Sequence, residues 1–244
     1  MRIAYEVRGD PGDRPPVVLH HGFSVSSDVQ WVGPGIAPAL EAAGRRIVLL
    51  DARGHGLSDG PHDPARYGEV RMSHDLRRLV DHLGVDEYDL VGYSMGAVVA
   101  LITAADDPRV RRLVVGGVGA AIVELGGVDT RALPNGALVE ALEADDPTTL
   151  TDPMLGGLRA LVDALGADRL ALAAHARVVH QSPIALDRIT APTLVLAGRD
   201  DPLAVRPEVL ADAVPDARLQ LVRGDHFGAV ADPDLTRATV DFLA

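Results

Sequence analysis

The stretch 88-YDLVGYSMG-96 decides how the rest of the chain reads. A short apolar run, 88-YDLVGYS-94, meets a helical pattern over 95–105 that packs on Ala and Val positions. The junction is Gly-x-Ser-x-Gly. A sharp strand-to-helix turn forces the serine backbone into a strained conformation, and glycines two positions either side leave room for the chain to double back. The hydroxyl of Ser94 is then exposed over the N-terminus of a helix. Strand, turn and helix in that order separate this motif from the competing reading, a glycine-rich turn with a bystander serine.

Similar apolar runs recur on either side: 17-VVLHHG-22, 47-IVLLDARG-54, 113-LVVGGVG-119, 193-TLVLAG-198 and 219-LQLV-222. They are near-continuous rather than alternating, as expected of strands buried on both faces. Helical patterns lie between them. In 69–84, Met72, Leu76, Leu79, Val80 and Leu83 fall on one stripe, and Gly84 supplies the stop. Residues 207–214 and 233–243 begin at or beside proline, which suits a first helical turn. The alternation predicts an α/β fold with a mainly parallel central sheet flanked by helices. One interval has helical patterns and no strand. It is read as a small helical cap inserted between two strands, giving a core of 1–119 and 190–244 and a cap of 120–189. Such a cap is expected over the carboxyl ends of the strands, where open α/β sheets bind ligands.

Composition narrows the chemistry. The 244 residues carry a net charge of −12, which disfavours nucleic acid and anionic membrane as partners. There is no cysteine, so thiolate nucleophiles and disulfides are excluded, and there is no lysine, so Schiff-base chemistry is excluded too. No apolar run approaches the roughly 20 residues that span a bilayer, and 1-MRIAYEVRGD-10 reads as a strand rather than a signal peptide. A cytoplasmic protein is expected.

A serine nucleophile needs a base, and the base needs an orienting acid. His226, in 223-RGDHFGAV-230, follows the last predicted strand and so reaches the same sheet edge as Ser94. The other histidines are less well placed. His20 and His21 end an early strand, and His55 lies in a glycine-rich loop. His175 and His180, five apart on a helix, point about 140° from each other and make a poor metal pair. The chain order Ser…Asp…His calls for an acid after a strand between the other two. The stretch 198-GRDDP-202 meets this with two candidates, Asp200 and Asp201. Donors for an oxyanion are expected from the backbone N–H groups of Met95, next after the nucleophile, and of Phe23 in 20-HHGF-23.

With these residues in place the chain resembles the α/β-hydrolase fold superfamily, in particular its cap-bearing serine hydrolases of esterase, lactonase, perhydrolase and C–C hydrolase type. Four blocks carry the likeness: 21-HGF-23, 51-DARGHGLS-58, 92-GYSMG-96 and 198-GRDD-201, with His226 completing the set. The resemblance covers the core and not the cap. It implies that the acid is the aspartate three residues after Gly198, which is Asp201, and that Asp200 is a bystander. It implies that the glycines and Arg53 of DARGHGLS brace a loop beside the site. One departure is Asp225, where the family usually has glycine before the catalytic histidine. The resemblance implies acyl transfer through Ser94, His226 and Asp201 with no cofactor and no metal. An ester, lactone or thioester is the expected substrate; other uses of the same triad, such as C–C cleavage, perhydrolysis or a lyase or cyclase step, and a ligand-binding receptor are the alternatives. The cap contains no Phe, Tyr or Trp, so an aliphatic substrate bound without aromatic stacking is expected. Arg159, Arg169 and Arg177 are candidates to meet a substrate carboxylate.

Overall fold

The structure is a computed structural model that describes residues 1–10 and 12–244. Seven strands form one sheet: β1 (Tyr5–Arg8), β2 (Val17–His20), β3 (Ile47–Leu50), β4 (Tyr88–Tyr93), β5 (Val110–Gly116), β6 (Thr193–Gly198) and β7 (Ala217–Val222). Their order across the sheet is β1-β3-β2-β4-β5-β6-β7. β1 runs antiparallel to β3, and every other neighbouring pair is parallel. The sheet is thus mainly parallel and flanked by helices, as the apolar runs require. β2, β3, β4 and β6 are buried along their whole length. The edge strand β7 instead exposes Arg218 and Gln220, which explains its weaker apolar run.

Helices cover both faces. On one face α2 (Glu69–His82), α3 (Met95–Asp106) and α8 (Pro207–Ala213) pack on Val18, Val48, Leu90, Val115 and Val195. On the other, α1 (Ile36–Ala42) and α10 (Pro233–Leu243) pack on Leu19, Leu49, Val91, Val114 and Leu196. The α3 side chains from Met95 through Ala105 are all buried. A helix so enclosed must be apolar or uncharged all round, and Met95–Ala105 is, with the exposed Asp106 at its end. The consequence is a fixed platform: α3 begins at the carboxyl edge of the sheet, with Ser94 as its N-cap residue.

Between β5 and β6 the chain forms α4 (Ala121–Leu125), α5 (Asn135–Glu143), α6 (Pro153–Ala164) and α7 (Arg169–Ala176). Three of these helices share a small core that includes Leu138, Leu142, Val162, Leu172 and Ala173. Asp152 and Asp168 start α6 and α7 by accepting backbone N–H groups of the first turn. The segment is fastened to α2 through one buried carboxylate. Glu69 accepts the His180 N–H at 2.8 Å and stands 3.5 Å from His175 Nε2. The three arginines considered for a substrate carboxylate are otherwise engaged. Arg159 is buried against Asp163 and the carbonyls of Ala141 and Ala144. Arg169 donates to the carbonyls of Leu142 and Glu143, and Arg177 to the Glu143 carboxylate. They tie helix ends together and none lines the cavity described below.

Candidate active site

Ser94 sits at φ 55° and ψ −117°, one of three non-glycine residues with positive φ among those described. Such a backbone costs on the order of 1–3 kcal/mol and persists only where surrounding packing enforces it. Here the enforcement is visible. The Ser94 N–H donates to the Gly116 carbonyl at 2.8 Å, and its carbonyl accepts the Ala97 N–H at 2.9 Å. A Cβ on Gly92 would collide with the Gly96 carbonyl, and one on Gly96 would collide with the carbonyls of His20 and His21. Both glycines of the motif are therefore set by close backbone approach.

The loops after β6 and β7 bring Asp201 and His226 together. His226 Nδ1 lies 2.9 Å from Asp201 Oδ2, while Asp201 Oδ1 accepts the Leu203 N–H at 2.8 Å. Asp201 is buried and Asp200 is exposed, so the two neighbours in GRDDP part company at the end of the strand. The imidazole is held from its main chain as well. The Tyr93 hydroxyl donates to the His226 carbonyl at 2.7 Å, and the two rings are 5.3 Å apart. Burial, and then the carboxylates of Asp201 and Asp225, push the Tyr93 phenol well above its ordinary range, so it remains a donor.

Phe23 follows Gly22, and a Cβ on Gly22 would come within 3.3 Å of the Ser94 side chain. The loop after β2 thus passes directly beside the serine. Among the described residues, neither the Phe23 nor the Met95 N–H donates to a protein acceptor. His21 braces this loop. Its Nε2 accepts the Ala52 N–H at 2.9 Å, which leaves Nδ1 to donate to the Gly22 carbonyl at 2.7 Å. The DARGHGLS loop is anchored similarly, with Asp51 accepting from Ser27 and Leu57, and Arg53 paired twice with Asp75.

Ser94, His226 and the Gly22–Phe23 loop line one cavity of about 630 Å³. Leu133, Pro153, Met154, Leu158 and Leu161 from the helical segment form an aliphatic wall. Phe23, Tyr93 and Phe227 from the sheet unit form an aromatic one, which corrects the expectation of a site without aromatic contacts. The aromatic wall was not legible because its residues come from three separate places in the chain, the end of β4 and the loops after β2 and β7.

Behind the Gly22–Phe23 loop lies a second group that the sequence did not reveal. The His21 and His55 rings are 5.2 Å apart, and Phe23 bridges His55 to His175, with ring separations of 5.7 and 5.6 Å. Burial drives His20 down to about 3 and also lowers His21 and His55, so these rings fold neutral. A depressed value means the unfolded chain takes up protons first. Stability is complete above the unfolded value near 6.5 and is lost as pH falls from there. His20 alone predicts a loss of about 2 to 3 kcal/mol by pH 4.5. Thermal unfolding followed by circular dichroism should give a melting temperature at pH 4.5 lower than at pH 7 by roughly 5–10 °C. A flat profile between these values would contradict the buried neutral state. Among the described residues, no group of three or more His, Asp or Glu could hold a metal ion. No helix among them is long and apolar enough to cross a membrane.

Residues 15–150 match the alpha/beta hydrolase fold family, and with the sheet order above this settles the class. The chain belongs to that family and is an alpha/beta hydrolase. It is 31% identical to a protein of Variovorax paradoxus (strain S110) provisionally named carbamate hydrolase RutD, an alignment covering 100% of this chain and 97% of the other. It is 35% identical to the sn-1-specific diacylglycerol lipase ABHD11 of Danio rerio over 117 residues, 47% of this chain; that alignment spans about a third (35%) of the lipase's length. Among solved structures, a hydrolase from Pseudomonas aeruginosa PA01 superposes with a TM-score of 0.80 at 26% identity, covering 99% of this chain and 94% of the other. The enol-lactonase from Burkholderia xenovorans LB400 shares the fold, with a TM-score of 0.82 at 23% identity over 99% and 96%.

Proposed function

We propose that the protein is a serine hydrolase that cleaves a carboxylic ester, lactone or thioester with a small, largely aliphatic acyl group. The observation that carries this reading is the pairing of His226 with the buried Asp201, with His226 lining the same cavity as the strained Ser94. In the proposed reaction Ser94 Oγ attacks the carbonyl carbon while His226 Nε2 takes its proton. Asp201 fixes the Nδ1–H tautomer and stabilises the imidazolium as it forms. The Phe23 and Met95 N–H groups stabilise the tetrahedral oxyanion, at a helix N-terminus that already favours negative charge. His226 then gives this proton to the leaving oxygen or sulfur and returns to the neutral imidazole. Water deprotonated by the same imidazole releases the acid from the acyl-enzyme. The mostly apolar cavity favours acyl groups that gain by leaving water, about 0.8 kcal/mol for each buried methylene.

The test is a chain-length series of p-nitrophenyl esters together with a serine-directed fluorophosphonate. Turnover of the short and medium esters is expected, with one phosphonyl group added and mapped by mass spectrometry to Ser94. Absence of both turnover and labelling would reject the reading in favour of a ligand-binding role for the same fold.

A further inference from the structure

We propose that Asp225 is a charge-selectivity residue of this site, and that the substrates are esters whose acyl groups carry no carboxylate. This deepens the hydrolase reading above and rests on it. The argument begins with what surrounds the bound acyl group. Of the residues that line the cavity, only Tyr93, Asp225 and His226 are ionisable, and none is an arginine. The chain has no lysine to supply a cation instead. Arg206 and Arg131 pair with Glu124, and Arg223 with Asp232; Arg199, exposed in the loop after β6, is not among the lining residues. A carboxylate on the substrate would leave water without a partner, which is costly in an apolar cleft.

Asp225 adds repulsion to that missing attraction. Its carboxylate is held rather than free to swing away, because Oδ1 accepts the N–H groups of Gly228 at 2.8 Å and Phe227 at 3.2 Å. Among the described residues no arginine pairs with it. Asp225 is itself exposed, and it places a negative charge with no arginine partner at the cavity lining, next in sequence to the proposed base. Starting α9 (Gly228–Ala231) explains one oxygen of this side chain but not its charge, since a neutral amide accepts the same two N–H groups.

The experiment compares two p-nitrophenyl esters of equal chain length, the pentanoate and the monoester of glutarate, which differ in a terminal methyl against a carboxylate. Asp225→Asn keeps the acceptor for Phe227 and Gly228 and removes the charge. Any change it makes in His226 basicity acts on both esters and cancels in the ratio of their kcat/KM values. The glutarate-to-pentanoate ratio is expected to rise about tenfold in Asp225→Asn at low salt. In the unaltered protein it should rise with added salt, and much less so in the variant. Asp200→Asn makes the same change in net charge at an exposed residue outside the cavity and should leave the ratio unchanged. Where glutarate turnover is too slow to follow, its inhibition constant against pentanoate hydrolysis gives the same comparison. An unchanged ratio in Asp225→Asn, or an equal rise in Asp200→Asn, would overturn the proposal while leaving the hydrolase reading intact. Failure of the unaltered protein to hydrolyse pentanoate would overturn both.

Discussion

Ser94→Ala is expected to remove the proposed ester hydrolysis, lowering kcat/KM by about a thousandfold or more, while the protein stays folded. The size follows from the proposed two-step route, because without Oγ no acyl-enzyme forms and only binding and the oxyanion donors remain. The stability side follows from the geometry. Among the described residues the Ser94 hydroxyl makes no hydrogen bond with a protein group, so its loss leaves no partner unsatisfied. Alanine at φ 55° bears the same backbone strain as serine, so the turn is neither relieved nor worsened. Circular dichroism and the melting temperature should match those of the unaltered protein within about a degree. Labelling by the fluorophosphonate should disappear. Ester turnover at the original rate in this variant would remove Ser94 from the mechanism.

Asp201→Asn carries the second largest effect, about a thousandfold to ten-thousandfold in kcat/KM. Asp201 uses both oxygens, one toward the Leu203 N–H and one toward His226 Nδ1. An asparagine that keeps its carbonyl on Leu203 must turn its NH₂ toward the imidazole. Nδ1 then becomes the acceptor and the proton moves to Nε2, the nitrogen that should receive a proton from Ser94. Asp200→Asn changes the same charge one residue earlier on an exposed side chain, and should alter kcat/KM by less than about twofold. Measuring both variants on one ester decides the assignment; a large loss at Asp200 with little at Asp201 would reverse it.

Much of this arrangement was legible before any coordinates. The runs at 17, 47, 88, 113, 193 and 219 all became strands because strands enclosed by helices have no polar face to interrupt them. Short-range pattern also placed α2, α3 and α10, whose apolar spacing or proline starts are local signals. The helix Ile36–Ala42 was not foreseen; seven residues give too little periodicity to stand out. The choice between Asp200 and Asp201 rested on resemblance, and the physical distinction, one side chain buried and one exposed, exists only once β6 is packed. The histidines at 20, 21, 55 and 175 are not grouped by any pattern in the sequence. Their cluster is assembled from the end of β2, a loop and α7, and no spacing along the chain records that meeting. The arginines of the helical segment misled for a related reason. A charged side chain beside an expected ligand site can be spent on helix carbonyls, as Arg159 is.

The bond from Tyr93 to the His226 carbonyl has a consequence for alignment. Tyr93 and Ser94 are joined by a single peptide, so the phenol ring acts as a strut of fixed length between the backbones of the proposed nucleophile and base. Gly116 and Gly117 lie flat against that ring, too close for any side chain, and keep it from tilting. The spacing between the two backbones is therefore set by an aromatic spacer anchored in β4 as well as by the loop that carries the histidine.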